Sequence, residues 1–394
     1  MRPDHVKPPF ILLLARGLLI GLIAATMAPA WSVSALETPA RQALLMDAGT
    51  GAVLLEEDAD APMAPASMSK MMTVYVLFER LHDGRLRLDD TLPVSENAWR
   101  KGGAASGGST MFLAPGASVK VEDLIRGIIV QSGNDACIVV AEALAKDEAT
   151  FAREMTDRGR EIGLRGSVFR NSTGWPDPDQ VTTARDLALL ALRTIEDFPE
   201  HYHYYAEKEF TYNGIRQGNR NPLLYKDLGA DGLKTGHTEA SGYGLTASAK
   251  RGDRRLILVV NGLAGVRERA QEAERLISWG FREFDNYALF KAGDEIATAE
   301  VWLGRADTVP LVIERDLTVT LPQAARREMK VTVVYDGPVP APIGAGDRLA
   351  VLRVTAPGAE TVEVPLLAGG SVEKLGLFGR LLAALKHLVF ERIL

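Results

Sequence analysis

Ser67 and Lys70 stand three residues apart at the head of a segment with helical apolar spacing, which brings a hydroxyl and an amine onto one helix face. A serine hydroxyl is a poor nucleophile at its ordinary pKa. A neighbouring lysine can deprotonate it once burial and a second cation have displaced the ammonium proton. Lys234 can be that second cation. It opens Lys234-Thr235-Gly236, the last of three short motifs, after Ser67-Met68-Ser69-Lys70 and Ser132-Gly133-Asn134. Ser67 follows Ala64-Pro65-Ala66 at a helix start, where unpaired N–H groups and the helix dipole favour a developing oxyanion. Gly236 has a physical reason of its own, since a side chain there would obstruct a substrate backbone lying along the strand. Together these residues predict acyl transfer through a serine nucleophile with a built-in base.

The elements that must hold these residues follow from periodicity. Ser67 to His82 reads as a helix, with Met68, Met71, Met72, Tyr75, Val76 and Leu77 repeating at helical spacing and Gly84 as a stop. Further helices are predicted at Val121–Val130, Asp135–Ala145, Thr183–Ile195 and Arg269–Phe284. Gln42–Asp47 and Ala52–Glu56 flank Gly49-Thr50-Gly51 as a hairpin, and Gly242–Lys250 and Arg254–Leu263 flank Arg251-Gly252-Asp253 as another. This mixture predicts an α+β domain with an antiparallel sheet flanked by helices over residues 36–286.

Residues 287–369 are rich in Val, Leu, Thr and Pro with regular turn signals, which predicts a small all-β domain. Residues 370–394 read as an amphipathic helix whose arc would run through Leu377, Phe378, Leu381, Leu382, Leu385, Leu388, Val389 and Ile393. The arc reads as an interfacial helix on a membrane surface, the alternative being a face packed on the β domain or a dimer partner. At the other end, Arg2 and Lys7 precede an apolar run from Gly17 to Trp31, too short to span a bilayer, and Val33-Ser34-Ala35 ends residues 1–35 as a signal peptide.

Composition removes other classes. The 394-residue chain carries 45 basic against 51 acidic residues, so it has no electrostatic footprint for nucleic acid. Its single cysteine, Cys137, and six scattered histidines build neither a disulfide nor a zinc site, and no metal or other cofactor is expected. Cys137 reads as a small buried helix residue, His201 and His203 as strand or loop surface, and Gly102–Gly108 as a flexible loop near the site.

The ordered motifs, extended as Ser132-Gly133-Asn134-Asp135-Ala136-Cys137 and Asp231-Gly232-Leu233-Lys234-Thr235-Gly236-His237-Thr238, resemble those of low-molecular-mass penicillin-binding proteins of the D-alanyl-D-alanine carboxypeptidase type. The resemblance extends over nearly all of the chain after residue 35, including Phe210–Gln217 and Trp279–Arg282. The middle motif departs from the Ser-Asp-Asn of class A β-lactamases, and no deacylating glutamate is matched. The resemblance implies the penicillin-binding-protein/β-lactamase-like transpeptidase fold, followed by the β domain and a C-terminal membrane-surface helix. It implies that Ser67 is acylated, Lys70 is its base, Ser132 relays a proton to the leaving amine, and Asn134 holds the substrate amide. Lys234 would give electrostatic support, Thr235 would meet the terminal carboxylate, and the backbone N–H groups of Ser67 and His237 would form an oxyanion hole. A carboxylate clamp by guanidinium falls to Arg269, with Arg267 two residues away as the alternative.

The implied substrate is a peptidoglycan stem peptide ending in D-Ala-D-Ala, with β-lactams as covalent inhibitors, at the periplasmic face of the inner membrane. A β-lactamase, a D,D-endopeptidase and a non-catalytic peptidoglycan or β-lactam sensor are the competing activities for the same motifs.

Overall fold

The computed structural model describes residues 36–379 and 381; the predicted signal peptide and most of the predicted tail helix lie outside the described residues. A five-stranded antiparallel sheet runs in the order Val53–Glu57, Gln42–Asp47, Arg254–Leu263, Gly242–Arg251 and Ala230–Thr238. Gln42–Asp47 and Arg254–Leu263 carry unbroken apolar runs because both faces of the sheet are covered, and period-2 alternation sends neighbours to opposite cores. Ile257 and Val259 face one layer of helices. Leu256, Leu258 and Val260 face the helix Val266–Glu283 through Ala273, Leu276 and Ile277.

The larger layer is built on the helix Lys70–His82, whose Met71, Met72, Tyr75 and Phe78 are fully buried. Around it pack Val121–Ile129, Asn134–Leu144, Glu148–Glu161 and Ala184–Asp197. Thr183 caps the last of these, its side chain accepting from Asp186 N at 3.0 Å. The helices and hairpins expected from periodicity are thus present, most of their ends within a residue or two; the closing helix starts three residues early, at Val266.

Two local departures have physical causes. The expected helix from Ser67 begins as a 3-10 turn, Ala66–Ser69, and becomes α-helical only at Lys70. Ala66 sits at φ +47°, a left-handed conformation that an ideal helix entry would not require. The segment around His201 and His203 is neither strand nor plain surface: Tyr202–Ala206 form a 3-10 turn that buries Tyr202, Tyr204 and Tyr205, and the His201 ring lies 5.2 Å from that of Phe78. Of the two histidines read as surface, His203 is exposed and His201 half-buried, while the tyrosines alternating with them are core residues of a helical turn.

The all-β part has a six-stranded sheet in the order Lys330–Val334, Arg348–Thr355, Val362–Ala368, Thr308–Ile313, Glu295–Trp302 and Val339–Pro340, beside the pair Phe284–Phe290 and Leu317–Pro322. The buried Asp47 ties this part to the main sheet. Its carboxylate accepts from Gly49 N at 3.0 Å, Arg254 Nε at 2.8 Å and Asn286 Nδ2 at 3.2 Å. Asn286 in turn accepts from Thr320 Oγ1 at 2.8 Å.

Candidate active site

The three motifs converge at one end of the helix Lys70–His82. The strand carrying Lys234-Thr235-Gly236 is at the sheet edge, so one row of its peptide groups has no strand partner and lies against the turn of Ser67. Gly236 makes that approach possible: a Cβ there would stand 3.1 Å from both Pro65 O and Met68 Cγ. The close neighbour that demands glycine is the nucleophile's own turn, whereas the sequence had suggested a substrate backbone.

Lys70 is completely buried, and its Nζ donates to Ser67 Oγ at 3.0 Å and also to Thr173 O. Burial, with the charge of Arg220 adding to it, lowers its pKa to about 8 against the pull of nearby acidic groups. At neutral pH roughly a tenth of Lys70 is therefore the free amine that a general base must be. Lys234 is also buried, and desolvation followed by the charges of Lys70 and Arg220 holds it well below the usual lysine range. The pocket disfavours two full ammonium charges side by side.

Ser132 lies between the helices Val121–Ile129 and Asn134–Leu144 at φ +60°, in the left-handed region that costs a non-glycine residue about 1 kcal/mol. Its Oγ is buried with no hydrogen-bond partner among the described residues. A buried hydroxyl held in a strained turn and left unpaired is available to a substrate. Gly133 is required by contact, since a Cβ would come within 2.9 Å of Asp135 Oδ1.

Four positioning features carry no mark in the sequence reading. Asp135 is fully buried and accepts from Thr110 Oγ1 at 2.7 Å, Met111 N at 2.8 Å and Leu113 N at 3.1 Å, fastening the loop before it to the middle motif. Asn171 Oδ1 accepts from Thr173 N, Gly174 N and Trp175 N at 3.2, 2.8 and 3.1 Å, a side-chain turn that presents Thr173 O to Lys70. Gly174, at φ +79°, lies so close to the nucleophile turn that a Cβ would sit 1.8 Å from Ala66 O. Arg220 donates to Ser109 Oγ at 2.5 Å and adds a third cation near the lysines. Asn-Ser-Thr-Gly is a readable turn signal; nothing in the spacing marks Arg220.

Gly102–Gly108, expected as a flexible loop, is packed at both ends. Gly102 lies on the Asp135 backbone, and Gly108 is wedged between Asn134 Nδ2 and the Trp175 ring, where a Cβ would stand 2.6 and 2.8 Å from them. Of the two candidate guanidinium clamps, Arg267 is exposed whereas Arg269 is buried, 5.8 Å from the Tyr243 ring and with Nε unpaired. Tyr243 pairs across the sheet with His237, whose ring stacks on it at 3.9 Å, so Arg269 stands behind the end of the last motif. Cys137 is buried and its thiol is pushed up to about 12, which makes it inert. Among the described residues there is no cluster of metal-ligating side chains.

Residues 29–264 match the family model described as D-alanyl-D-alanine carboxypeptidase, and residues 284–374 match that of the penicillin-binding protein 5 C-terminal domain. The chain is 40% identical over 352 residues to the D-alanyl-D-alanine carboxypeptidase DacC of Escherichia coli, covering 89% of this chain and 88% of that protein. It is 37% identical to DacA of the same organism, covering 87% and 86%. The crystal structure of penicillin-binding protein 5 from Haemophilus influenzae superposes with a TM-score of 0.77 at 35% identity, over 86% of this chain and 98% of that one. A Listeria monocytogenes penicillin-binding protein in its ampicillin-bound form superposes with a TM-score of 0.54 at 28% identity, over 63% and 99%.

The position of Lys70 makes acylation depend on pH. The rate of Ser67 acylation by a fluorescent penicillin should rise about tenfold per unit below the Lys70 pKa and level off with a midpoint near 8. A rate that is flat from pH 6 to 9 would contradict Lys70 as the base.

Proposed function

The chain belongs to the D-alanyl-D-alanine carboxypeptidase family of serine peptidases, and from that premise we propose that it removes the terminal D-alanine from peptidoglycan stem peptides through an acyl-enzyme on Ser67. The observation that carries this reading is the completely buried Lys70, its Nζ 3.0 Å from the Ser67 hydroxyl. The neutral amine takes the hydroxyl proton as Ser67 Oγ attacks the carbonyl of the penultimate D-alanine. The oxyanion is held by backbone N–H groups of Ser67 and His237. Ser132, its hydroxyl otherwise unpaired, passes the proton to the departing amine while Asn134 holds the substrate's amide. D-alanine leaves, and a water molecule then cleaves the ester by the reverse proton path. Lys234 offsets negative charge, and Thr235 and the buried Arg269 recognise the terminal carboxylate. A β-lactam enters as a strained analogue of the same amide and stops at the acyl-enzyme.

Residues 1–35 are read as a signal peptide and residues 370–394 as a helix on the membrane surface, which places the enzyme at the periplasmic face of the inner membrane. The exposed side chains of Leu377, Phe378 and Leu381 support the reading of the tail.

The test of activity is incubation of the purified protein with a tripeptide ending in D-Ala-D-Ala, together with mass spectrometry after benzylpenicillin. Stoichiometric D-alanine release and an adduct on Ser67 are expected, both absent in Ser67→Ala. An adduct that persists in Ser67→Ala would overturn the assignment. For the tail, deletion of residues 371–394 should release the protein from membranes and leave turnover of soluble peptide intact; a truncated form that stays membrane-bound would contradict the surface-helix reading.

A further inference from the structure

The second hydrogen bond of Lys70 goes to the carbonyl of Thr173, and the segment that carries this carbonyl is held in shape and in place by different residues. Asn171 holds its shape, since the bonds of Asn171 Oδ1 run to Thr173, Gly174 and Trp175 within the same turn. The hydrogen bonds that hold its place converge on Ser172. This residue is fully buried and every polar group on it is used: its N–H and hydroxyl donate to Glu148 Oε1 at 3.1 and 2.7 Å, and its carbonyl accepts from Thr73 Oγ1 at 2.6 Å. Thr73 stands three residues after Lys70, so two successive carbonyls of the segment, Ser172 O and Thr173 O, meet one face of the helix Lys70–His82. Glu148 grips the same peptide from the opposite side.

Glu148 opens the helix Glu148–Glu161, is half-buried, and among the described residues forms no ion pair with a lysine, arginine or histidine. The charged and titratable groups that face Lys70 come from four elements. The helix Asn134–Leu144 brings Asp135 and Cys137, the loop after the hairpin Glu209–Gly218 brings Arg220, the edge strand brings Lys234, and the helix Glu148–Glu161 brings Glu148. Cys137, its thiol pushed up to about 12, is uncharged at neutral pH. Burial lowers Lys70 most and Arg220 adds to it, while Asp135 and Glu148 act against them. Asp135 is committed to the loop Thr110–Leu113 through its three bonds there. Glu148 is the carboxylate whose hydrogen bonds run to the segment that Lys70 touches.

We propose that Glu148 is a positioning residue for acylation: through Ser172 it sets the Thr173 carbonyl on Lys70 Nζ, and its negative charge supports the ammonium that Lys70 becomes on taking the Ser67 proton. The inference rests on the reading of Lys70 as the base and deepens it. Burial alone would leave an amine that is always free and too weak a base to take a hydroxyl proton. A carbonyl that accepts from the ammonium and a carboxylate behind it restrain that descent, so that the amine is both free at working pH and basic enough to act.

The pH profile of Ser67 acylation by a fluorescent penicillin tests this on the full chain in wild type, Glu148→Gln and Glu148→Ala. Glutamine keeps an Oε1 that accepts from the Ser172 N–H and hydroxyl, and removes only the charge. In Glu148→Gln the midpoint should therefore move to lower pH. The rate at about pH 6.5, taken relative to each protein's own plateau, should rise about threefold over wild type, the scale of one partly exposed charge pair, with the plateau kept within about twofold. Alanine removes the hydrogen bonds as well, and its plateau should fall about tenfold, the scale of hydrogen bonds to a charged group. An unchanged midpoint in Glu148→Gln, or a wild-type plateau in Glu148→Ala, would overturn the proposal. A carboxylate with only a structural role would lower the plateau without moving the midpoint. Should the alanine variant fold poorly, the midpoint of the glutamine variant still decides. Wild type that forms no adduct at any pH would instead contradict the proposed acyl-enzyme, a failure distinguishable from an adduct whose pH profile ignores Glu148.

Discussion

Lys70 is a cationic side chain removed from water, and most of the architecture around the site exists to hold it there. Burying an ammonium is costly, and the descent of its pKa from 10.5 to about 8 corresponds to about 3 kcal/mol of disfavoured charge. That cost is what makes the amine basic at a useful pH. The same apolar side chains that stabilise the fold supply it, since Met71, Met72, Tyr75 and Phe78 follow Lys70 along one buried helix. Arg220 adds repulsion at both lysines, and the charge of Lys70 further disfavours the protonated form of Lys234.

A desolvated base is useful only if its partner is held at hydrogen-bonding distance, and here that falls to contacts closer than any side chain permits. Gly236 lets the edge strand lie on the Ser67 turn, and Gly174 lets the Asn171–Trp175 segment lie on Ala66 from the other side. The nucleophile turn is clamped between two glycines. Asp135 does the corresponding work for the middle motif through its three bonds to the loop at Thr110–Leu113. The carboxylate of Glu148 extends the support by accepting from Ser172 N and Oγ at 3.1 and 2.7 Å, next to the residue whose carbonyl meets Lys70. Asp47 does similar work far from the chemistry, where one buried carboxylate joins the first hairpin to Arg254 and to Asn286.

What could be read in the sequence was whatever is local. Ser67 and Lys70 are neighbours on one turn, and Met71, Met72 and Tyr75 repeat at a helical period, so both the pair and its helix were legible. The order of the three motifs tied them into one site through resemblance rather than through physics. Thr173, 103 residues from the lysine it contacts, carries no pattern that points to Lys70. Arg220 sits in a loop with no periodicity, and its role as a third cation exists only once the tertiary structure brings it to Ser109 and the lysines. The early 3-10 turn at Ser67 was hidden for the same reason, because tertiary packing at Ala66 overrides a helical propensity that looked continuous. The tyrosines beside His201 alternate like a surface strand and are buried as a turn, a case where a four-residue window could not settle the period.

The central claim is that burial depresses Lys70 enough to make it a base. Titration of the uniformly labelled lysine Cε and Nζ resonances by NMR, with Lys70 assigned by its loss in Lys70→Arg, measures that directly. The account predicts one resonance with a midpoint near 8, set by Lys70. A Lys70 resonance that stays fully protonated until about 10.5, the ordinary lysine value, would contradict it.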